Sequence, residues 1–293
     1  MPTVERFATS QLLRVGGGYY LIDCGEGTQL QLQRFHAKQG HIQQIFISHL
    51  HGDHFYGLFG LLGSLALNGK KSPLQIFSPK GLQEIFEALA KHSYLHLPYE
   101  ITFTVVNTEQ SAIIFEDANV IVQSLPLQHR VPAVGYLFKE HPKGRKMLGS
   151  AIQHYQIPYA DIPAIKAGND WTNSEGERID NKLLTTEPSP PRAYAFCSDT
   201  IYTETLVPLL QGVDLLYHES TFLHELLPQA QLTMHTTALQ AAMIAKKAEV
   251  GQLILGHYSA RYRSLDPLLE EAQSIFEATV LGEDGLRIQV PKK

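Results

Sequence analysis

Seven consecutive residues, Ser48-His49-Leu50-His51-Gly52-Asp53-His54, constrain this chain more than any other stretch. They follow an apolar, strand-like run from Gln43 to Ser48 and place four metal-binding side chains within positions 49 to 54. On an extended backbone His49 and His51 point to the same side, so both can reach one cation. Gly52 eases the turn that carries Asp53 and His54 toward a second. Imidazole combined with carboxylate suits zinc or manganese. A group of solvated loop histidines is the competing reading, and the ligand density at this spacing favours metal.

A loop alone does not close the coordination sphere of a divalent ion. Three later residues repeat the same arrangement, a polar ligand at the C-terminal end of an apolar strand. His129 follows the run ending Leu125-Pro126-Leu127, Asp199 follows Ala195-Phe196-Cys197-Ser198, and His257 follows Leu253-Ile254-Leu255-Gly256. Taken singly, such an Asp more often caps a turn and such a His more often packs at a sheet edge. Beside the loop, all three are expected to be ligands, which requires the strand ends that carry them to converge.

The rest of the chain supplies such strands. Gln11 to Val15 and Tyr19 to Asp23 read as a hairpin around Gly16-Gly17-Gly18, a turn and not a phosphate loop because no helix opens after it. Helices are expected over 54–67, 81–91, 236–248 and 267–278, with strands over 72–78, 101–106, 112–115, 120–127, 135–139, 193–197, 214–217 and 252–255. Strands interspersed with helices point to mixed sheets covered by helices. From about His141 to Pro191 the chain turns polar and proline-rich, and is read as an inserted arm.

Composition sets outer bounds. At 293 residues, 44% of them hydrophobic and 18% charged, this is ordinary globular material for one large domain or two small ones. The apolar stretch from Phe55 to Leu67 is too short to span a membrane. The opening Met-Pro-Thr-Val-Glu-Arg lacks a basic region followed by an apolar core, so no secretory leader is expected. Cys24 and Cys197 both lie in apolar runs and read as buried thiols of a reducing compartment, with the cytoplasm as default. A net charge of -5 argues against a non-specific nucleic-acid coat protein but leaves room for a local basic patch. The 14 histidines are the compositional anomaly.

The metal loop with its later His, Asp and His resembles the metallo-β-lactamase superfamily. That resemblance implies an α+β fold, a four-layer αββα sandwich. It also implies a dinuclear site in which His49, His51 and His129 hold one ion, Asp53, His54 and His257 the other, and Asp199 bridges them. Within the superfamily the chain is similar to the short form of the tRNase Z (ribonuclease Z) family. The matching segments are Thr9-Ser10-Gln11-Leu12-Leu13, Leu21-Ile22-Asp23-Cys24-Gly25-Glu26-Gly27-Thr28-Gln29, Val134-Gly135-Tyr136 and Ser198-Asp199-Thr200. The most specific are His218-Glu219-Ser220-Thr221-Phe222, Met234-His235-Thr236-Thr237 and His257-Tyr258-Ser259-Ala260-Arg261-Tyr262. The resemblance spans nearly all of positions 1–293 as a single domain, with the arm at about 141–184. It implies two zinc ions per subunit, with manganese as a substitute, and hydrolysis of precursor tRNA at its 3′ trailer by a homodimer.

Two cations can activate a water for attack on phosphorus, with Asp53 placed to accept its proton. A ribose 3′-oxygen leaves poorly, and His235, oriented by Glu219, is the candidate acid. The plainer readings are a surface carboxylate for Glu219 and a polar residue at a helix N-terminus for His235. Arg261 and, in the arm, Lys143, Arg145, Lys146 and Lys166 are candidate phosphate contacts, against the alternative of a solvated basic loop. The chain departs from the family in two respects: it starts inside the family's opening strand, and the arm lacks the Gly-Pro pair. A small phosphodiesterase or a glyoxalase-II-like thioesterase would keep the ligands but has no use for Glu219, His235 and the Arg261 segment together. A catalytically silent binding protein would be expected to have lost ligands.

Overall fold

The computed structural model describes residues 3–290. Met1 and Pro2 of the opening segment, and residues 291–293 of the expected single domain, lie outside the described residues. Two compact units form, one from residues up to Lys139 together with Ala193–Val290, the other from Glu140–Arg192.

The larger unit holds two sheets. The first runs β1 (Gln11–Val15), β2 (Gly18–Ile22), β3 (Gln44–Phe46), β4 (Leu74–Ser78) and β5 (Ile101–Val105) in that spatial order. β1 and β2 form the expected hairpin, whose turn places Gly16 at φ 56°, a conformation glycine adopts without steric cost. From β2 to β5 the pairing is parallel. The chain continues through β6 (Ile113–Glu116), β7 (Val120–Leu127) and β8 (Ala133–Glu140). Within residues 140–192 follow the two-residue strands β9 (Lys146–Met147), β10 (Trp171–Thr172), β11 (Arg178–Ile179) and β12 (Thr185–Thr186). It then resumes with β13 (Ala193–Cys197), β14 (Leu215–Glu219), β15 (Leu253–Gly256) and β16 (Thr279–Leu281). The second sheet has the order β16-β15-β14-β13-β8-β7-β6, parallel from β13 to β16 and antiparallel between β8 and β13.

Period-two alternation sorts the strand side chains into layers. Tyr20, Ile22, Phe46, Phe77, Tyr136, Phe138, Phe196 and Ile254 fill the space between the sheets. Phe46 and Phe77 stack there with centroids 4.7 Å apart, and Phe46→Ala should cost about 3–5 kcal/mol. On the far face of the first sheet, Leu21, Ile45, Ile47 and Ile76 meet the helix Gly57–Leu67 through Leu58, Leu61, Leu62 and Leu65. These helix positions recur at the three- and four-residue spacing of one helical face. On the far face of the second sheet, Ala195, Leu216, Leu253 and Leu255 pack against the helix Ala238–Lys247. That helix starts on a capping box between Thr237 and Gln240, which satisfies two of its orphan backbone donors. The four layers are those expected of the αββα sandwich.

Three boundaries differ from the sequence reading. The helix expected over 54–67 is two, Gly52–Phe55 and Gly57–Leu67. Gly57 lies where a Cβ would come 1.9 Å from the Gly25 carbonyl oxygen, so the chain passes too close there for any larger residue. The helix expected over 267–278 stops at Gln273, and the edge strand β16 that follows its turn was not expected. The helix Leu227–Thr233 was not expected; it carries Pro228 in its first turn, where proline is well placed.

The second unit has its own small core of Ala151, Ile157, Ile165, Ile179 and Leu184, flanked by Trp171. β10 pairs with β11 and β9 with β12. Buried Asn181 donates to the carbonyls of Ile165 and Asn169, each at 2.7 Å, and Trp171 Nε1 donates to Asp161 at 2.8 Å.

Candidate metal centre and active site

The sandwich brings a row of strand ends to one edge. Asp23 follows β2, His49 follows β3, His129 follows β7, Asp199 follows β13, Glu219 ends β14 and His257 follows β15. His51 caps the short helix Gly52–Phe55, which carries Asp53 and His54.

Two ligand clusters result. His51 Nδ1 lies 3.1 Å from His49 Nε2 and 3.3 Å from His129 Nε2. Asp199 Oδ2 stands 3.6 Å from His49 Nε2 and 3.8 Å from His129 Nε2. The other Asp199 oxygen, Oδ1, lies 3.5 Å from His54 Nε2 and 3.3 Å from His257 Nε2. Asp53 Oδ2 completes this second group, 3.9 Å from His54 Nε2 and 3.5 Å from His257 Nε2. The seven side chains singled out in the sequence thus meet, with one Asp199 oxygen facing each cluster.

Whether these groups suit a divalent cation is decided by their hydrogen atoms. His54 Nδ1 is 2.7 Å from Asp23 Oδ2, a carboxylate that only accepts, so Nδ1 carries the proton. His129 Nδ1 donates to the Met234 carbonyl at 2.9 Å. Ser48 Oγ donates to Asp23 Oδ2 at 2.9 Å and so accepts from His49 Nδ1 at 3.0 Å. In each ring the bonded nitrogen holds the hydrogen and Nε2 turns a lone pair inward, the arrangement that supports metal-binding histidines. His54 Nε2 and His257 Nε2 are buried without a hydrogen-bond partner among the described residues. Buried polar atoms are rarely left so. Orphaned nitrogens aimed at carboxylates fit two cations.

The electrostatics agree. Burial, reinforced by the charge of His54, pushes His49 down to about 2, and burial likewise lowers His51 and His129. Neutral imidazoles are what a cation requires. Burial would raise Asp53, but the facing imidazoles of His257 and His54 hold it well below the usual carboxylate range. Burial opposes ionisation of Asp199 too, and the surrounding histidines outweigh it. His54 is the exception. Burial would lower it, but Asp199 and Asp23 raise it to about 9. The carboxylates call for positive charge at its Nε2, the position a cation would take over from a proton.

Beside the clusters, Glu219 is fully buried and receives four donors. Thr200 N and His235 Nδ1 reach Oε1 at 3.0 and 2.9 Å, and Thr221 N and Thr221 Oγ1 reach Oε2 at 3.2 and 2.6 Å. Burial would favour its neutral form, but the His235 imidazole keeps it ionised. His235 itself would be lowered by burial, and Glu219 raises it. With Nδ1 given to Glu219, the other ring nitrogen remains for a proton to be transferred. His235 lies 5.1 Å from the His129 ring and 5.4 Å from that of His257, centroid to centroid.

The expected phosphate contacts divide between the two units. Exposed Arg261 lies over the Phe222 ring at 4.9 Å, and Phe222 in turn sits edge-on to His235. Lys143, Arg145, Lys146 and Lys166 belong to the second unit. There Arg145 is engaged by Thr185 at 2.7 Å and by Glu187, Lys143 lies 3.4 Å from Glu140, and Lys146 and Lys166 are exposed.

Two residues of the site escaped sequence reasoning. Asp23 also accepts from Ser48 N at 2.7 Å and so fixes both His54 and the start of the metal loop. It carries the same signal as Asp199, an acid just past an apolar strand, and could have been found by it. Thr221 has no such signal, because its hydroxyl acts only through residues distant in sequence.

Similarity to known proteins extends over the chain. The family model described as anti-Pycsar protein Apyc1 matches residues 2–123. Ribonuclease Z of Parabacteroides distasonis is 43% identical over 290 residues, covering 99% of this chain and 95% of its own. Ribonuclease Z of Cytophaga hutchinsonii is 44% identical over 288 residues, covering 97% and 91%. Among solved structures, human tRNase Z, short form (ELAC1), superposes with a TM-score of 0.71 at 26% identity, covering 99% of this chain and 95% of that one. The metallo-β-lactamase fold protein YhfI of Bacillus subtilis shares the fold, with a TM-score of 0.68 at 18% identity over 98% and 93%. With its fold, its clustered His and Asp side chains and relatives above 40% identity along nearly its full length, the chain belongs to the ribonuclease Z family.

Proposed function

We propose that this protein is a metal-dependent endoribonuclease that removes the 3′ trailer from precursor tRNA by phosphodiester hydrolysis, leaving a 3′-hydroxyl on the tRNA. The observation that carries the reading is the His235–Glu219 pair, 2.9 Å apart, set beside two ligand clusters. A held proton donor serves a reaction whose leaving group is a poor one, and a ribose 3′-oxygen is such a group.

His49, His51 and His129 would hold one zinc, Asp53, His54 and His257 the second, and Asp199 both. When bound, such a pair lowers the pKa of water and stabilises charge on the phosphoryl oxygens. The chain's own residues do the rest. The Asp53 carboxylate, ionised in the resting site, accepts the proton of the attacking water. As the bond from phosphorus to the ribose 3′-oxygen breaks, His235 donates its outward proton to that oxygen. Glu219 holds the imidazole in place and offsets its charge. Water's oxygen ends on the trailer as a 5′-phosphate.

Arg261 and the basic residues of the second unit are the proposed contacts for the RNA backbone. The enzyme is taken to be a cytoplasmic homodimer. Among the described residues no helix is long and apolar enough to cross a membrane.

Incubating zinc-loaded protein with a precursor tRNA bearing a 3′ trailer, then sequencing the product ends, tests the reading. A cut just after the discriminator base is expected. Intact RNA would reduce the assignment to another hydrolase of this fold, which activity on bis-p-nitrophenyl phosphate or on a thioester would then identify.

A further inference from the structure

Thr221 lies two residues past the end of β14, 6% exposed, where the metal-binding and proton-donating halves of the site meet. Its Oγ1 is 2.6 Å from Glu219 Oε2, 3.0 Å from His257 Nδ1, 3.0 Å from the His257 carbonyl and 3.3 Å from His235 Nδ1. A hydroxyl has one hydrogen and two lone pairs. The hydrogen goes to Glu219 Oε2, the shortest contact and a carboxylate, which can only accept. The His257 carbonyl, also an acceptor, competes for that hydrogen only at the longer 3.0 Å. The Thr221 lone pairs face His257 Nδ1, which must therefore carry the ring hydrogen. His257 Nε2 is left deprotonated, and that is the nitrogen aimed at Asp53 and Asp199.

We infer that Thr221 is a positioning residue whose single hydroxyl selects the metal-facing nitrogen of His257 and orients the Glu219 carboxylate toward His235. The second-ion site and the proton donor then share one hydrogen-bonded chain: His257 Nδ1 to Thr221 Oγ1, Thr221 Oγ1 to Glu219 Oε2, and Glu219 Oε1 to His235 Nδ1. Without the hydroxyl, Glu219 Oε2 keeps only the Thr221 backbone N–H at 3.2 Å, and His257 Nδ1 loses its acceptor. Its hydroxyl acts through its contacts with Glu219, His257 and His235. This inference rests on the proposed roles of His257 and His235.

The pair Thr221→Val and Thr221→Ser tests it, since valine keeps the shape and serine keeps the hydroxyl. Zinc titration of the apoprotein against a chromophoric chelator reads ion affinity with no turnover, and kcat and KM on precursor tRNA are measured at saturating zinc. For Thr221→Val the weaker of two ions should lose about 10- to 100-fold in affinity, and kcat should fall with KM unchanged. Thr221→Ser should restore both to near wild type. Wild-type zinc affinity and kcat in Thr221→Val, or equal impairment of both variants, would overturn the inference, the latter by assigning the role to the methyl group. Nitrogen-15 NMR of the imidazoles in the intact zinc-loaded wild type gives an answer independent of variant folding. A protonated His257 Nδ1 is expected, and a bare one would overturn the inference. If the wild type binds two zincs but leaves RNA uncut, the substrate reading fails while the titration still judges Thr221. If it binds none, both fail.

Discussion

Removing the His235 side chain should affect substrates according to their leaving group. The Nδ1 of His235 is committed to Glu219 Oε1 at 2.9 Å, and Glu219 is itself anchored by three further donors at 2.6 to 3.2 Å. Such a ring is pre-positioned to deliver a proton, and general acid catalysis is worth about 10²- to 10⁴-fold. That corresponds to roughly 3–5 kcal/mol of barrier. His235→Ala should therefore lose about that factor in kcat on precursor tRNA. On bis-p-nitrophenyl phosphate the departing nitrophenolate carries its own charge, so the loss should stay below about tenfold, since acid catalysis contributes little there. Glu219→Gln should fall between. An amide can accept at one oxygen only, so the two donors at the replaced oxygen lose their acceptor, at about 1–3 kcal/mol each. Zinc content, read by inductively coupled plasma mass spectrometry, should match wild type in His235→Ala. Equal losses on both substrates, or loss of zinc, would refute the assignment of His235 as the acid.

Other consequences are as concrete. Asp23→Ala strands three buried donors, Ser48 N, Ser48 Oγ and His54 Nδ1. It should cost about 3–5 kcal/mol in urea unfolding and weaken zinc binding about 10- to 100-fold. Glu140 is held down from 4.5 to about 2 by its hydrogen bonds to Arg192, so its folded form favours ionisation. Stability from this pair is then full above pH 4.5 and lost as pH falls toward 2. Trp171, the single tryptophan, lies in the same unit, and its fluorescence should report a transition in that window that Glu140→Gln abolishes. Cys24 and Cys197 are buried with thiols pushed up to about 12, and neither should react with a disulfide reagent until the protein is unfolded.

Much of the site was legible because metal chemistry concentrates its signal. His49, His51, Asp53 and His54 share one loop, and His129, Asp199 and His257 each stand just past an apolar strand, so a local rule finds them all. Mixed sheets covered by helices were legible from the succession of strands and helices, and the four layers followed from the family resemblance; strands such as Tyr194-Ala195-Phe196-Cys197 build them, their residues facing two different cores. What escaped depends on contacts between distant positions. Thr221 matters through residues 219, 235 and 257, and no spacing rule joins them. β16 went unread because Thr279-Val280-Leu281 is too short to show a period, and only pairing with β15 makes it a strand. In residues 140–192, small buried side chains scattered among prolines and charges gave no periodic signal, yet Ile157, Ile165 and Ile179 pack together.

Anomalous diffraction from zinc-loaded crystals at the zinc absorption edge would test the dinuclear centre most directly. Two peaks per chain are expected, about 3.5–4 Å apart, one among His49, His51 and His129, the other among Asp53, His54 and His257, with Asp199 reaching both. A single peak, no peak, or peaks placed away from these side chains would contradict it.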